Sequence, residues 1–415
     1  MPTNYKSADF SQLYSQYQRD GGIDDLKRLK SVIDLGSDCS FFVNLDAHLE
    51  SLDSGCRVLN ERLSYLKVRR AEVDKLVARI DLTSALDELQ ELHRRLNVIA
   101  IELYLKGVGV MEIHALITDY RHILTQRVVA IMSARFAPQP CAFAWFNMGS
   151  DGRREQTFFT DQDNALVYEV DGDPEIDAYF ESFAKETITA LDRVGFALCS
   201  GNIMPSNPDW RGSLEGWRQK MENIFHDQSR NNLLRVIILM DIVFCAGSVA
   251  ISQLMIEKLH QMIQDNFGAL MVMARSAVMS SVALTMFKKF RLEKDSEHQG
   301  KFNVKLFGWA PLIMTTRVFA LKYGFTETNT VARIRHLESQ HHFDAEFSQS
   351  LQKAYQVLAN AKMVSQVEAI VSRQDYDYYL DPETLKEDDQ EELRLALSSV
   401  ESLQKLAYNS FFSGI

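Results

Sequence analysis

The sequence predicts an α+β fold that is mostly helical, with a small mixed sheet between an N-terminal helical domain and a C-terminal helical bundle. Three observations support this prediction. Apolar residues recur at spacings of three and four through residues 24–135, which is typical of packed helices. Short apolar and aromatic runs replace this pattern between residues 141 and 204. Helical spacing returns from about residue 227 and continues to the end of the chain.

The N-terminal helices are predicted from their leucine stripes and their breaks. One stripe runs through Leu86, Leu89, Leu92 and Leu96, and the segment 110–132 extends the helical pattern. The Gly-Val-Gly at residues 107–109 is expected to separate two helices. The segment FAPQP, residues 136–140, contains two prolines, which end the helix and mark a domain boundary.

The sheet is predicted from three short runs around one amphipathic helix. The segments CAFAWFNM (141–148), NALVYEV (164–170) and FALCSGNIM (196–204) are expected to be strands. The helix between the last two has Pro174 near its first turn. The segment 231–248, NNLLRVIILMDIVFCAGS, fits a buried helix by its length and a strand by its β-branching, so both remain open.

The C-terminal region is predicted to be a helical bundle with one interruption. The segment 295–311 is expected to be a loop, and the last twenty residues carry an apolar face that a docked helix would bury. The resulting domain division is 1–135 (helical), 136–260 (core with the sheet) and 261–415 (helical).

Composition excludes several classes of protein. The net charge of −11 without a basic stripe argues against nucleic-acid binding on electrostatic grounds, so none is expected. No apolar run approaches the ~20 residues that span a bilayer, and the first residues lack a secretory signal pattern, so we expect a cytoplasmic protein without a membrane anchor. The five cysteines are scattered, which argues against disulfides and zinc, and Cys141, Cys199 and Cys245 are interpreted as small core residues.

The segment GSDGRREQTFFTDQDNALVY, residues 149–168, concentrates charge between two predicted strands. If Asp161 and Asp163 begin the second strand, their side chains share one face, and a divalent cation (Mg²⁺ or Mn²⁺) would offset their repulsion. Gly149 would let the backbone approach a ligand, and Ser150 would be the N-cap of a short helix. Gly-Ser or Asp-x-Asp alone is weak evidence of a functional site. The combination is specific, because it places Gly-Ser after one strand and Asp-x-Asp before the next.

This segment resembles the signature of the polymerase-β-like nucleotidyltransferase superfamily. More narrowly, it resembles a bacterial nucleotidyltransferase family of signal-transduction proteins that is related to the PII-protein uridylyltransferase. The segments LCSGNIMPSNPDWRGSLEGWRQKM (198–221) and FNVKLFGWAPLIMTTRVFALKYGFTETNTVARIRHL (302–337) also resemble this family. The resemblance implies an enzyme that moves a nucleoside monophosphate from an NTP to a hydroxyl acceptor on a protein.

The resemblance also suggests roles for individual residues. It implies phosphate binding by Gly149 and Ser150 and metal binding by Asp161 and Asp163. Its G-R-x-E element corresponds to residues 152–155, in which Gly152 would approach the nucleotide, Arg153 would contact phosphate and Glu155 would be a structural brace.

A third catalytic carboxylate is common in the superfamily, and two residues are candidates for it. Asp241 is the first candidate and Asp209 the second, although each is also compatible with a plain buried or loop carboxylate. Ile242 stands where the family commonly has an arginine. Lys305 and Arg317 could contact the triphosphate or the acceptor, or could simply form local ion pairs.

Three functions are compatible with these features. The first is nucleotidyl transfer with Asp161, Asp163 and Asp241 as catalytic residues. The second is a protein that binds a nucleotide for sensing or as a scaffold, without turnover. The third is a helical interaction module in which the motif is vestigial. A homodimer through the N-terminal helices is a further expectation.

Overall fold

A computed structural model describes residues 45–226, 230–294, 297–372 and 376–413. The predicted helical residues 24–44, which include Cys39, lie outside the described residues. Cys56 lies in a described helix, but its side chain is not among those that the structure describes. Contacts divide the chain into two units, residues 1–68 and 69–415. The described residues of the first unit, 45–68, are helical.

The predicted N-terminal helices are present. They are α1 (Leu45–Leu82), α2 (Leu86–Leu105) and α3 (Val110–Arg135). The leucine stripe of α2 is buried, as its spacing predicts. The break between α2 and α3 lies at the predicted glycines, because Gly107 has a φ of 78° and Gly109 is the extended residue before α3. The helix α3 ends at Arg135, immediately before the predicted boundary.

A four-stranded mixed sheet forms the centre of the molecule. Its strands are β1 (Phe143–Asn147), β3 (Asn164–Tyr168), β5 (Arg211–Ser213) and β6 (Val243–Gly247), in the order β5-β3-β1-β6. The strand β1 is antiparallel to both of its neighbours, and β3 is parallel to β5. All residues of β1 and β3 are buried. Their continuous apolar sequence therefore reflects cover on both faces of the sheet.

Helices cover this sheet. The predicted helix α5 (Pro174–Val194) begins at the N-cap Asp173, whose carboxylate accepts from the backbone of Glu175. Its Phe183 ring lies 5.1 Å from Phe143 of β1. The remaining helices of this region are α6 (Leu214–His226), α7 (Arg230–Leu239), α8 (Val249–Asp265) and the short α4 (Gly149–Gly152).

The third predicted strand is wrong in its extent and its position. Within residues 196–204 only β4 (Ala197–Leu198) is extended, and it pairs with β2 (Asp161–Gln162) outside the four-stranded sheet. The chain turns immediately afterwards, and Asn202 has a φ of 53°. The Gly-Asn sequence permits this turn, and it overrides the apolar pattern on both sides.

The ambiguous segment 231–248 contains both alternatives in succession. The helix α7 covers its first part and ends at Leu239, and the strand β6 begins at Val243. Asp241 lies in the turn between them. The buried Asp241 separates two apolar stretches, and the spacing of apolar residues does not show where the first ends and the second begins.

The C-terminal region is the predicted helical bundle. Its helices are α9 (Phe267–Met279), α10 (Ala310–Lys322), α11 (Thr330–Ser339), α12 (Ala345–Ser372) and α13 (Glu387–Phe412). The last helix packs through an apolar face that includes Leu393, Leu397 and Val400, as predicted. The predicted loop 295–311 is only partly a loop. It contains β7 (Phe302–Asn303), which pairs with β8 (Tyr379–Leu380), and a π-helical turn (Lys305–Trp309).

The fold class is therefore the one that the sequence predicts, with a small mixed sheet between helical regions. Among the described residues, no helix combines the length and the apolar character that crossing a membrane requires. The division into three domains and the homodimer stay predictions.

Replacing Gly247 by alanine should destabilise the protein strongly. Gly247 ends β6 with a φ of 97°, and an added Cβ would lie 2.2 Å from the carbonyl oxygen of Phe143. Gly172 is a matched control, because its φ is 74° and a Cβ there would meet nothing within 4 Å. We expect Gly172→Ala to cost about 1 kcal/mol and Gly247→Ala at least about 3 kcal/mol by chemical denaturation. Equal losses would contradict the collision.

Candidate functional site

The strand pairing brings the two halves of the motif together. Because β1 and β3 are antiparallel with Asn147 opposite Asn164, the residues just beyond them also meet. The backbone N–H of Met148 donates to the carbonyl oxygen of Asp163 over 2.9 Å. The turn at Gly149 therefore lies against Asp163, although fourteen positions separate them along the chain.

Gly149 is required at this turn. Its φ is 56°, and an added Cβ would lie 2.3 Å from Oδ2 of Asp163. The backbone at Gly149 therefore lies close to the carboxylate of Asp163, and its approach to a ligand stays a prediction. The helix α4 that follows has only four residues, and its N-cap is Met148. The prediction that Ser150 caps this helix is wrong, because the helix begins at Gly149, two residues earlier than predicted, and Ser150 lies inside it.

Asp161 and Asp163 lie together as predicted, and Cys199 completes the group. One carboxylate oxygen of each aspartate and the sulfur of Cys199 lie within 4.8 Å of one another. The buried Oδ1 of Asp163 has no hydrogen-bond partner in the part of the chain that the structure describes. These three side chains could hold a metal ion.

Burial and charge make this group unfavourable without a ligand. Burial and the neighbouring charge of Asp161 raise the pKa of Asp163 to about 6. Burial and the charge of Asp163 raise the pKa of the Cys199 thiol to about 12. The sequence interpretation of Cys199 as a plain core residue missed this position, because Cys199 approaches the aspartates only through the turn after β4.

The side chains of Arg153 and Glu155 are buried and bind each other. The Nε of Arg153 donates to Glu155 (2.8 Å), and its Nη2 donates to the hydroxyl of Ser150 (3.3 Å). The other oxygen of Glu155 accepts from the backbone N–H of Thr330 at the start of α11 (2.8 Å). Glu155 thus connects the motif to the C-terminal helices, and its role as a structural brace stays a prediction. The phosphate contact of Arg153 stays a prediction.

Asp241 lies at the centre of a cluster of arginines. Its carboxylate is fully buried and accepts from Arg153 (2.7 Å), Arg317 (3.2 Å) and Arg333 (3.1 Å). Burial alone would raise the pKa of Asp241, but the charges of Arg317, Arg153 and Arg333 outweigh it and lower the pKa to about 2. An alanine at Gly152 would place its Cβ 1.7 Å from the carbonyl oxygen of Asp241. Gly152 therefore lets α4 pack against this residue.

Neither candidate for a third carboxylate belongs to the Asp161–Asp163–Cys199 group. The Asp241 carboxylate is occupied by the three arginines, and Asp209 is an exposed residue paired with Arg235. The strand β5 next to β3 consists of Arg211, Gly212 and Ser213, without a carboxylate. The catalytic role of Asp241 stays a prediction, and its contacts favour a positioning role.

Arg121 of α3 is a site residue that the sequence analysis missed. Its guanidinium donates to both oxygens of Asp151 in α4 (3.1 and 2.9 Å) and to the carbonyl oxygen of Asp161 (3.1 Å). The same group lies 4.1 Å from the centre of the Phe196 ring. One N-terminal side chain thus holds both halves of the motif. A single arginine in a helix of otherwise ordinary composition gives no sequence signal of this role.

The remaining candidates, Arg317 and Lys305, differ in their surroundings. Arg317 forms the buried ion pair with Asp241, which agrees with the ion-pairing alternative. Lys305 is exposed on the π-helical turn. The four tryptophans of the chain are all buried, namely Trp145, Trp210, Trp217 and Trp309.

Comparison with known proteins gives two matches. Residues 94–231 match the family model described as "Putative nucleotidyltransferase DUF294". Residues 268–411 match the model described as "Putative nucleotidyltransferase substrate binding domain". No curated protein matches the chain. The first match contains Asp161, Asp163 and Cys199, and the second contains Arg317 and Arg333.

Replacing Asp241 by asparagine should destabilise the fold. The change removes the central negative charge from three buried guanidinium groups, which typically costs about 3–5 kcal/mol. The control is Asp209→Asn, which breaks an exposed pair with Arg235 and should cost less than about 1 kcal/mol. The free energies of unfolding are compared by urea denaturation. Wild-type stability of Asp241→Asn would contradict the central position of this carboxylate.

Replacing Asp163 by asparagine should stabilise the metal-free protein above pH 6. The folded-state pKa of about 6 exceeds the usual value of 3.8, so the cost of ionising Asp163 in the folded protein develops as the pH rises from 3.8 to about 6 and is complete above that range. We expect a gain of about 1–2 kcal/mol at pH 7.5 and none near pH 4. Thermal melts in a chelator at both pH values measure this. A lower melting temperature of the variant at pH 7.5 would contradict it.

Proposed function

The chain belongs, through residues 94–231 and 268–411, to the family described as "Putative nucleotidyltransferase DUF294", and on this premise we propose metal-dependent transfer of a nucleoside monophosphate from an NTP to a protein hydroxyl. The family supports nucleotidyl transfer in general. The observation that supports metal dependence is the convergence of Asp161, Asp163 and Cys199 within 4.8 Å.

The donor set fits a divalent cation. The Oδ1 atom of Asp163 is buried without a partner among the described residues, and Gly149 leaves its other oxygen uncrowded. Two carboxylates suit Mg²⁺ or Mn²⁺, and a sulfur ligand would favour Mn²⁺ over Mg²⁺. When bound, such an ion would offset the phosphate charge and polarise the α-phosphate.

The residues of the motif would bind and orient the nucleotide around this position. The turn at Gly149 would present backbone to the phosphates without a side chain in the way. Ser150 would offer its hydroxyl, whose orientation the Nη2 donor of Arg153 sets. Arg121 would keep α4 and Asp161 in register, since it binds both.

The proposed step is an in-line displacement at the α-phosphorus. The acceptor oxygen forms a bond to the α-phosphorus as the bond to the bridging β-phosphate oxygen breaks. The hydroxyl proton passes to water, and pyrophosphate leaves with the electron pair of the broken bond. A protein acceptor and a role in signalling are part of the proposal, and they rest on the resemblance of the motif segments.

A second function, nucleotide binding without turnover, is favoured by one observation. Among the described residues, Asp161 and Asp163 are joined by a thiol rather than by a third carboxylate. A site of this kind could bind an NTP and metal for sensing. Release of pyrophosphate in amounts that exceed the protein would exclude this alternative.

Replacing Asp161 by asparagine should abolish transfer while the fold persists. The change removes one charged ligand, so we expect loss of about a hundredfold or more. The assay uses the four NTPs, each labelled at the α-phosphate, with Mg²⁺ or Mn²⁺ and lysate protein as acceptor, and a labelled protein band is the readout. Melting temperatures establish that the variant folds.

The matched control is Asp209→Asn, because Asp209 is exposed and lies outside the Asp161–Asp163–Cys199 group. We expect this variant to label protein at the wild-type rate. Undiminished labelling by Asp161→Asn would overturn the proposed function. Tight NTP binding without any labelled band or pyrophosphate release would favour the sensing function.

A further inference from the structure

Lys362 of α12 is a buried lysine whose ammonium group lies near aromatic rings. Lys362 is only 6% exposed. Its ammonium nitrogen lies 5.7 Å from the centre of the Trp309 ring and 5.8 Å from the centre of the Tyr378 ring. In the part of the chain that the structure describes, no carboxylate lies within ion-pair distance of it. Buried ammonium groups are costly unless an anion compensates them.

The surroundings of Lys362 add positive charge. The ammonium nitrogen of Lys305 lies 4.4 Å from the centre of the same Tyr378 ring, so two lysines approach one aromatic residue. Tyr378 has a φ of 64°, which is an unusual conformation for a tyrosine. Lys305 itself stands on a π-helical turn, a feature that is frequent at functional sites.

The electrostatics agree with this geometry. Burial, and then the charges of Lys305 and Arg153, lower the pKa of Lys362 to about 7, while Glu155 and Asp161 act in the opposite direction. Glu155 is already bound to Arg153 and to the backbone of Thr330. Glu155 is therefore not available as an ion-pair partner for Lys362.

The helix α12 is fixed against the segment that precedes Asp161, and the charge of Asp161 acts on Lys362. Gln366 lies one helical turn further along α12, on the same face. Its amide accepts from the backbone N–H of Phe158 (3.0 Å) and donates to the hydroxyl of Thr157 (3.0 Å). These residues lead directly into Asp161, so the face of α12 that carries Lys362 is fixed against the motif.

We propose that Lys305 and Lys362 bind the β- and γ-phosphates of the nucleotide. This inference rests on the proposed function and adds that the C-terminal bundle contributes to the nucleotide site. The two ammonium groups supply the charge that a pyrophosphate group needs, and the phosphates supply the anion that Lys362 lacks. Free pyrophosphate has the same chemistry as the terminal part of an NTP and therefore serves as the probe.

A lysine that is merely structural would behave differently from a phosphate ligand. Lys362→Met keeps the length and the apolar stem but removes the buried charge, so it should melt at or above the wild-type temperature. The control Lys353→Met changes an exposed lysine of the same helix, which is paired with Glu392. Loss of stability in Lys362→Met alone would indicate a structural role and overturn the proposal.

The test measures binding of pyrophosphate and of a non-hydrolysable NTP analogue by calorimetry, with Mn²⁺ present, to the full chain and both variants. We expect Lys362→Met to weaken both ligands about ten- to hundredfold, and Lys353→Met to bind as the wild type does. Unchanged affinity in Lys362→Met, or no pyrophosphate binding by the wild type, overturns the proposal.

The outcomes separate this proposal from the proposed function. Pyrophosphate binding that depends on Lys362, without any labelled protein in the transfer assay, would support the lysine pair and contradict transfer. Transfer that depends on Asp161 but not on Lys362, with pyrophosphate affinity unchanged in Lys362→Met, would contradict the lysine pair alone. An analogue that binds while pyrophosphate does not would place the binding energy on the nucleoside and overturn the lysine pair.

Discussion

The carboxylate of Asp241 is the interaction on which the rest of the structure depends. It joins Arg153 beside the motif to Arg317 of α10 and Arg333 of α11. Such a cluster is stable only when every member is present, because removing one charge leaves the others buried without compensation. The sheet and the C-terminal bundle are therefore connected through charge as well as through apolar packing. Arg153 also donates to Ser150 and Glu155, so the positions of these two side chains depend on the same cluster.

The candidate site differs from this cluster in the state of its polar groups. Asp241 and its arginines satisfy one another, whereas Asp163 keeps a buried oxygen without a partner among the described residues. Lys362 is likewise buried against aromatic rings rather than a carboxylate. Buried polar groups of this kind are costly, and they are expected where a ligand completes the interaction. One charge cluster thus stabilises the fold, and the neighbouring groups remain available for a metal ion and an anion.

Much of the fold could be predicted because its determinants are local. The spacing of Leu86, Leu89, Leu92 and Leu96 predicts a helix, and Phe143–Asn147 predicts a buried strand from its run of apolar residues. The wrong strand at β4 and the unresolved choice at the junction of α7 with β6 both occurred where a turn divides an apolar stretch. Turns of this kind depend on one or two residues, such as Asn202 or Asp241, whose effect a periodic pattern does not contain.

The site shows the same division between local and tertiary information. The sequence by itself determined the motif of Gly149, Asp161 and Asp163, because one antiparallel pairing of adjacent strands is enough to bring these residues together. Only the tertiary structure decided that Cys199 joins the aspartates, that Arg121 holds both halves of the motif and that Asp241 binds three arginines. The physical reason is that these contacts join residues far apart in the chain. Their partners are selected by packing and charge compensation, which no local pattern of residue types records.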